Sequence, residues 1–314
     1  MLSRMADNLY WLSRYTERAE NLARILHVAQ RLAALPSAYA GASNEWESAI
    51  ATAACADEFK TLYPDGATRE NVIRYIVDSP SNPSSIKACI ETARSNARAV
   101  RTAITSEMWE ILNEGWNEMR GIEFDGISQS ALTQFLQRVQ QMSLRFDGAA
   151  YRTMLRSDQY WFQRLGTFVE RADNMARLLD VKYHLLLPEK EPVGGGLDYF
   201  QWSSILRSVN ALTSYHWVYR ENVKPWLVAD FLILRPEQPR SLISCYMALN
   251  DYLDQIAEAY GRQGPAQHIV RSTTARLQNA DMDQIFQSGL HEFLVEFIDD
   301  NNRLGSAITQ QYLS

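Results

Sequence analysis

The side chains best equipped for chemistry lie in one eight-residue stretch, Glu17-Arg18-Ala19-Glu20-Asn21-Leu22-Ala23-Arg24. The chain contains that stretch twice, the second time as Glu170-Arg171-Ala172-Asp173-Asn174-Met175-Ala176-Arg177. Each octet offers two carboxylates, two guanidiniums and an amide. Glu20 with Arg24, and Asp173 with Arg177, stand four apart with the acid first, the orientation that favours an ion pair along one helix. Three uses of these groups fit. The octets can meet near a pseudo-twofold axis in a buried, charge-balanced network that pairs Glu17 with Arg177 and Glu170 with Arg24. Such a network fixes register more than it stabilises, because desolvation offsets much of the Coulomb gain. They can instead line a pocket in which arginine grips a carboxylate or a peptide end. They can also form an exposed or partner-docking stripe, where each helical pair is worth only ~0.3–0.5 kcal/mol. A fourth use, four inward carboxylates around a metal, is disfavoured. Di-iron bundles add Glu-x-x-His from two helices. Here neither octet has a histidine, and a cation would sit beside Arg18, Arg24, Arg171 and Arg177. No metal and no cofactor are expected.

The elements that must position these groups are helical. Leu2 to Leu35 is free of Gly and Pro and reads as one long helix stopped by Pro36. Leu12, Tyr15, Ala19, Leu22 and Leu26 share one face at ~100° per residue; Tyr10, Ser13, Glu17, Glu20, Asn21, Arg24 and Val28 lie on the other. Asn44 is a candidate cap for a helix over Glu45–Leu62, and a shorter one spans Thr68–Val77. Asn82 can cap and Pro83 begin a helix that continues to about Gly115, with a break near Thr105-Ser106. Ser128 caps another, running to Phe146. Leu155 to Leu187 is the second long helix, stopped by Pro188, and the loop from Pro188 to Gly196 reads as the most flexible stretch.

The second half follows the order of the first. Met1-Leu2, Leu12, Tyr15 and Val28 recur as Met154-Leu155, Leu165, Phe168 and Val181 at the offset of the octets. After a loop three residues longer, Trp46, Pro80, Pro83, Ser85 and Cys89 recur as Trp202, Pro236, Pro239, Ser241 and Cys245. The reading is an all-α chain built by tandem duplication. One repeat spans 1–153 and the other 154–314, each of five to six helices, and the two pack as one globular unit. The β-prone runs Tyr75–Val77 and Phe231–Leu234 are helix ends or buried connections.

Composition narrows the function. A net charge of −6, with 22% charged residues and no Lys/Arg block, argues against nucleic acid and against an anionic membrane. No apolar run is long enough to span a bilayer. Three widely separated cysteines, Cys55, Cys89 and Cys245, suit a reducing, cytoplasmic setting. The five histidines make no ligand pattern, and no P-loop, nucleophile elbow or GxGxxG is present. Secondary candidates for a binding surface are the polar helix with Arg94, Asn96, Arg98 and Arg101, and the aromatic-rich stretch around Trp217 and Arg220, with Lys224 at its rim.

The doubled octet, the lead-in Tyr10-Trp11-Leu12-Ser13-Arg14-Tyr15, Asn82-Pro83-Ser84-Ser85-Ile86 and Ser106-Glu107-Met108-Trp109-Glu110 together resemble the bacterial alpha-E family over essentially the full chain. The resemblance implies an all-helical domain with a Glu-Arg motif, found in tandem. It also implies partners: circularly permuted ATP-grasp ligases, transglutaminase-like proteins and Ntn-type peptidases. The resulting expectation is an accessory binding or scaffolding component of a peptide synthesis or modification system, more a non-enzyme than an enzyme on its own. The alternatives are an enzyme or substrate carrier of that system, using the paired Glu/Arg/Asn stripes as its polar site, and a purely structural interaction protein.

Overall fold

The computed structural model describes residues 1–34, 45–184 and 195–314, and every regular element among the described residues is helical. α1 (Ser3–Leu32) fills the uninterrupted first run, and its two faces are both buried: Leu12, Ala19 and Leu26 on one, Tyr10, Glu17 and Glu20 on the other. α2 (Glu45–Thr52) and α3 (Ala56–Leu62) replace the single helix expected over Glu45–Leu62. The break is at Ala54, which takes a left-handed φ of 53°. α4 (Arg69–Val77) begins at Thr68, whose hydroxyl accepts from the Asn71 amide.

α5 (Ile86–Ala99) corrects a second expectation, because Ser85 and not Asn82 is its cap: the Ser85 hydroxyl accepts from the Ala88 amide. Asn82 instead ties the preceding turn, accepting from the Ser84 amide and donating to the Tyr75 carbonyl. Pro83 therefore lies in that turn, outside the helix. α6 (Ser106–Met119) starts from a Thr105 cap, at the expected break. α7 (Gln129–Thr153) is capped by Ser128 but runs well past Phe146. α8 (Asp158–His184) is the second long helix. α9 (Gly196–Ser208), α10 (Leu212–Tyr219), α11 (Pro225–Ile233), α12 (Leu242–Tyr260), α13 (Pro265–Gln278), α14 (Met282–Ser288) and α15 (Leu290–Ile308) follow, and Thr309–Leu313 closes the chain as a π-helical turn. The runs Tyr75–Val77 and Phe231–Ile233 end α4 and α11. Seven helices precede Met154 among the described residues, more than the five or six expected. The Pro36 stop, the Asn44 cap and the Pro188 loop lie outside the described residues.

The core is organised by α1 packed along α8. Tyr10 meets Gly166, Ser13 meets Gln163, and Glu17 and Arg18 meet Arg171 and Glu170. From Ser13–Gln163 through Arg14–Glu170 to Glu17–Arg171 the numbers rise on both helices, so the pair is parallel. A Cβ on Gly166 would come within 2.1 Å of the Tyr10 carbonyl oxygen, which shows how closely the two backbones approach. Parallel helices cannot be joined by a tight turn, and α2 to α7 make the return. α1 also packs on α5 and α7, while α8 packs on α12 and α15. α2 and α9 each touch both long helices. The main cluster of buried apolar side chains among the described residues includes Leu9, Tyr10, Tyr75, Phe146, Tyr246 and Phe297, and an aliphatic or phenylalanine side chain in it is worth about 1.5–3 kcal/mol on burial.

Candidate functional site

Because α1 and α8 run parallel and in register, the two octets face one another at the same level. Arg171 grips Glu17 with both arms of its fork, Nε to Oε1 at 2.9 Å and Nη2 to Oε2 at 3.0 Å. Arg18 grips Glu170 in the same manner, Nε to Oε1 at 2.6 Å and Nη2 to Oε2 at 3.1 Å. The glutamate of each Glu-Arg dipeptide is thus held by the arginine of the other. The expected partners, Arg177 for Glu17 and Arg24 for Glu170, are wrong in detail. Arg24 and Arg177 pair within their own helices, with Glu20 and Asp173 respectively, as the i,i+4 spacing allowed. In-register packing is the reason: Arg177 sits about 10 Å farther along the axis than the level of Glu17.

Each central carboxylate has a second arginine. Arg14, one turn before Arg18, donates from Nε to Glu170 at 2.7 Å. Arg240, just before α12, bridges Glu17 at 3.0 Å and Glu20 at 2.7 Å. Its place in Gln238-Pro239-Arg240-Ser241 matches Ser84 in Asn82-Pro83-Ser84-Ser85, and Ser84 accepts from Arg18 at 3.3 Å. The Ser143 hydroxyl on α7 donates to Glu20 at 2.6 Å. Asp147, also on α7, takes Arg164 and lies 3.9 Å from Arg171. Arg24 completes its coordination on the Ser208 carbonyl at the end of α9. Aromatic faces cover the guanidiniums: Trp11 lies 4.9 Å from Arg14, and Phe168 lies 4.9 Å from Arg164 and 5.2 Å from Arg171.

The electrostatics follow from this geometry. Burial alone would push the Glu170 carboxyl up, but Arg14 and Arg18 outweigh it and hold it down to about 2. Burial also opposes ionisation of Glu20, and Arg240, Arg24 and the Ser143 hydrogen bond bring it down to about 2. The Arg171 guanidinium is raised because Glu17 outweighs its desolvation. Arg24 is the uncomfortable member: burial lowers it, Glu20 restores part, and Arg240 repels it. All three thiols are pushed up to about 12, principally by burial, so none is an activated nucleophile.

Of the ten octet residues proposed as a site, eight are ion-paired here: Glu17, Arg18, Glu20, Arg24, Glu170, Arg171, Asp173 and Arg177. Asn21 is half-buried, and Asn174 is buried with its Nδ2 unpaired. The four-carboxylate arrangement of a metal site is not assembled, since Glu17 and Glu170 both face guanidiniums. Among the described residues no cluster of three metal-ligating side chains occurs. Arg14, Ser143, Asp147, Arg164 and Arg240 belong to the network and were not singled out from sequence. Arg14 lies within the Tyr10–Tyr15 lead-in, and Arg240 stands between the matching Pro239 and Ser241, so both carried a readable signal.

The secondary surfaces are partly exposed, with Arg94 half-buried. Arg94 and Arg101 flank Trp109 of α6 at 5.7 and 5.6 Å, Arg94 also donates to Asn113, Asn96 is half-buried and Arg98 is exposed. Trp217 is 80% exposed beside Arg220, which ends α10 with a left-handed φ of 53°. The depression there, about 600 Å³, is lined by His216, Arg220, Glu221, Asn222 and Lys224, not by aromatics. A larger groove of about 1180 Å³ lies between α6 and α7, away from the octets. No helix among the described residues is long and apolar enough to cross a membrane.

No match is found among curated proteins or among solved structures. A family model described as a predicted alpha-helical domain with a conserved ER motif matches residues 1–313. The dipeptide Glu-Arg occurs at 17–18 and 170–171, where it forms the reciprocal clasp between α1 and α8. On a match that spans the chain, and with that dipeptide at the centre of its core, the protein belongs to the Alpha-E family.

Proposed function

We propose that this chain is an accessory, non-catalytic binding or scaffolding component of a bacterial peptide synthesis or modification system, working beside a circularly permuted ATP-grasp ligase and transglutaminase-like proteins in the cytoplasm. It is built from two repeats, 1–153 and 154–314, clasped by their Glu-Arg dipeptides. The observation that carries the non-catalytic part is the occupancy of the motif: Glu17 and Glu170 are buried and each already holds two arginines. Groups so committed are poor candidates for gripping a substrate. The repeat reading is supported by the reciprocal pairs, by the matching caps Ser85 and Ser241, and by α5 and α12 flanking α1 and α8 in turn. The ligase partnership rests on the family resemblance.

The substrate-carrier reading requires a pocket that reaches Arg24 or Arg177. Arg24 is instead spent on Glu20 and the Ser208 carbonyl, and Arg177 on Asp173. Co-expression with the neighbouring ATP-grasp ligase, followed by size-exclusion chromatography with and without ATP, tests the proposal. Co-elution is expected at micromolar concentration; separate elution under both conditions contradicts the scaffold.

A further inference from the structure

The hairpin of α5 and α6 gathers three arginines and no acid to answer them. Arg94 and Arg98 stand one turn apart on α5, and Arg101 follows in the turn that ends it. Among the described residues none of the three makes an ion pair, and the one acid of α5, Glu91, is exposed and joins none of them. The glutamates of α6 are committed elsewhere: Glu107, Glu110, Glu114 and Glu118 line the groove that α6 forms with α7. What holds the arginines is an indole and an amide. The Arg94 and Arg101 guanidiniums lie 5.7 and 5.6 Å from the Trp109 ring centre, and Arg94 Nε donates to Asn113 Oδ1 at 2.9 Å. Trp109 and Asn113 are one turn apart on α6. Neither carries a charge, so the side chains are positioned while their positive charge stays uncompensated. The hairpin of α12 and α13 shows the alternative, for there Asp254 takes Arg271 at 2.6 Å.

We infer that this surface docks an acidic peptide segment of a partner protein. Recognition of acidic segments by arginine clusters relies on charge-assisted hydrogen bonds, the strong class. Guanidiniums already laid on an aromatic face lose little freedom when a carboxylate arrives. Arg94 and Arg98 are about 6 Å apart along the helix axis. Carboxylates two residues apart on an extended strand are separated by about 6.6 Å. A Glu-x-Glu segment therefore engages both arginines at once, whereas a lone carboxylate engages one. The chain's own charge selects against a long polyanion. Its net charge is −6, and Glu107 and Glu110 are exposed on the helix that carries Trp109. A nucleic-acid strand, charged at every nucleotide, is repelled by that field as it extends past the cluster; a short acidic segment ends within it. The inference rests on side-chain geometry and is independent of both the ligase partnership and the α1–α8 clasp.

Fluorescence anisotropy on the full chain tests it, with a labelled octapeptide of alternating Glu and Ala as the probe. In about 0.1 M salt, charges more than ~10 Å from the peptide are largely screened. Saturable binding at submillimolar protein is expected, and its loss when Gln replaces Glu in the probe. Arg98→Glu/Arg101→Glu reverses two exposed charges without touching the Arg94–Asn113 bond, and should weaken binding roughly tenfold or more. Arg138→Glu/Arg207→Glu makes the same change of net charge at exposed sites on α7 and α9, and should leave binding within about twofold. Circular dichroism checks that both variants keep the parent's fold. No saturable binding by the parent up to about 1 mM overturns the inference. So does a loss in the Arg98/Arg101 variant no greater than in the control, or a single-stranded DNA oligonucleotide that binds tighter than the peptide. Sedimentation velocity adds a last outcome: self-association that Arg98→Glu/Arg101→Glu abolishes would make a second copy the occupant and overturn it too.

Discussion

Glutamate meets arginine in two regions of this molecule, with opposite consequences. In the α1–α8 interior, the Glu170 side chain is 2% exposed and its partners Arg14 and Arg18 are 15% and 24% exposed. On the α6–α7 surface, Glu114 and Arg145 are 52% and 57% exposed and make a pair of similar length. The distances are alike, but the surroundings differ. In the interior each carboxylate has lost its water and depends on two guanidiniums, so removing one member leaves a charge with nothing to solvate it. At the surface water replaces a lost partner, and the same residue types stay free to meet another chain. A Glu-Arg motif therefore signals architecture or recognition only once its burial is known.

The largest effect expected from this contrast is at Glu170. Glu170→Gln keeps the shape but strands Arg14 and Arg18, and should lower unfolding stability by about 3–5 kcal/mol in urea titration. A loss below the typical surface value would place this carboxylate in the class of Glu114.

Next comes acid. The carboxyls of Glu170 and Glu20 are held at about 2, below the ordinary 4.5. A lowered folded-state value means that their stabilisation is complete above about pH 4.5 and is lost as the pH falls through about 2. The thermal midpoint followed by circular dichroism should accordingly fall across that window. A midpoint that holds steady down to about pH 2 would contradict the buried pairing.

The smallest effect belongs to the surface. Arg145→Ala should change stability by no more than about 1 kcal/mol in urea titration. A larger loss would erase the distinction between the two regions.

Much of the fold could be read from the residues. The first long run, free of Gly and Pro, is α1 and the second is α8, the break expected near Thr105-Ser106 separates α5 from α6, Ser128 caps α7 as its chemistry says it should, and the doubled octets do meet across the core. Axial register could not be read, because periodicity fixes a face but not which level of one helix stands beside which level of the other. Pairing Glu17 with Arg177 would have required a stagger; the close approach of Gly166 to Tyr10 sets none. The break at Ala54 was equally invisible, since Ala51-Thr52-Ala53-Ala54 favours helix locally and only the packing of α2 and α3 turns it. Arg240 was missed for a different reason. It is remote in sequence from both octets, and only the turn before α12 brings it to Glu17 and Glu20.

The account stands on the claim that the Glu-Arg dipeptides clasp one another. A double-mutant cycle of Glu17→Gln and Arg171→Leu measures that directly by urea unfolding, with Glu17→Gln and Arg177→Leu as the control cycle. The clasp predicts a coupling of roughly 0.5–3 kcal/mol for the first pair and none for the second. Equal coupling in the two cycles, or none in the first, would contradict it.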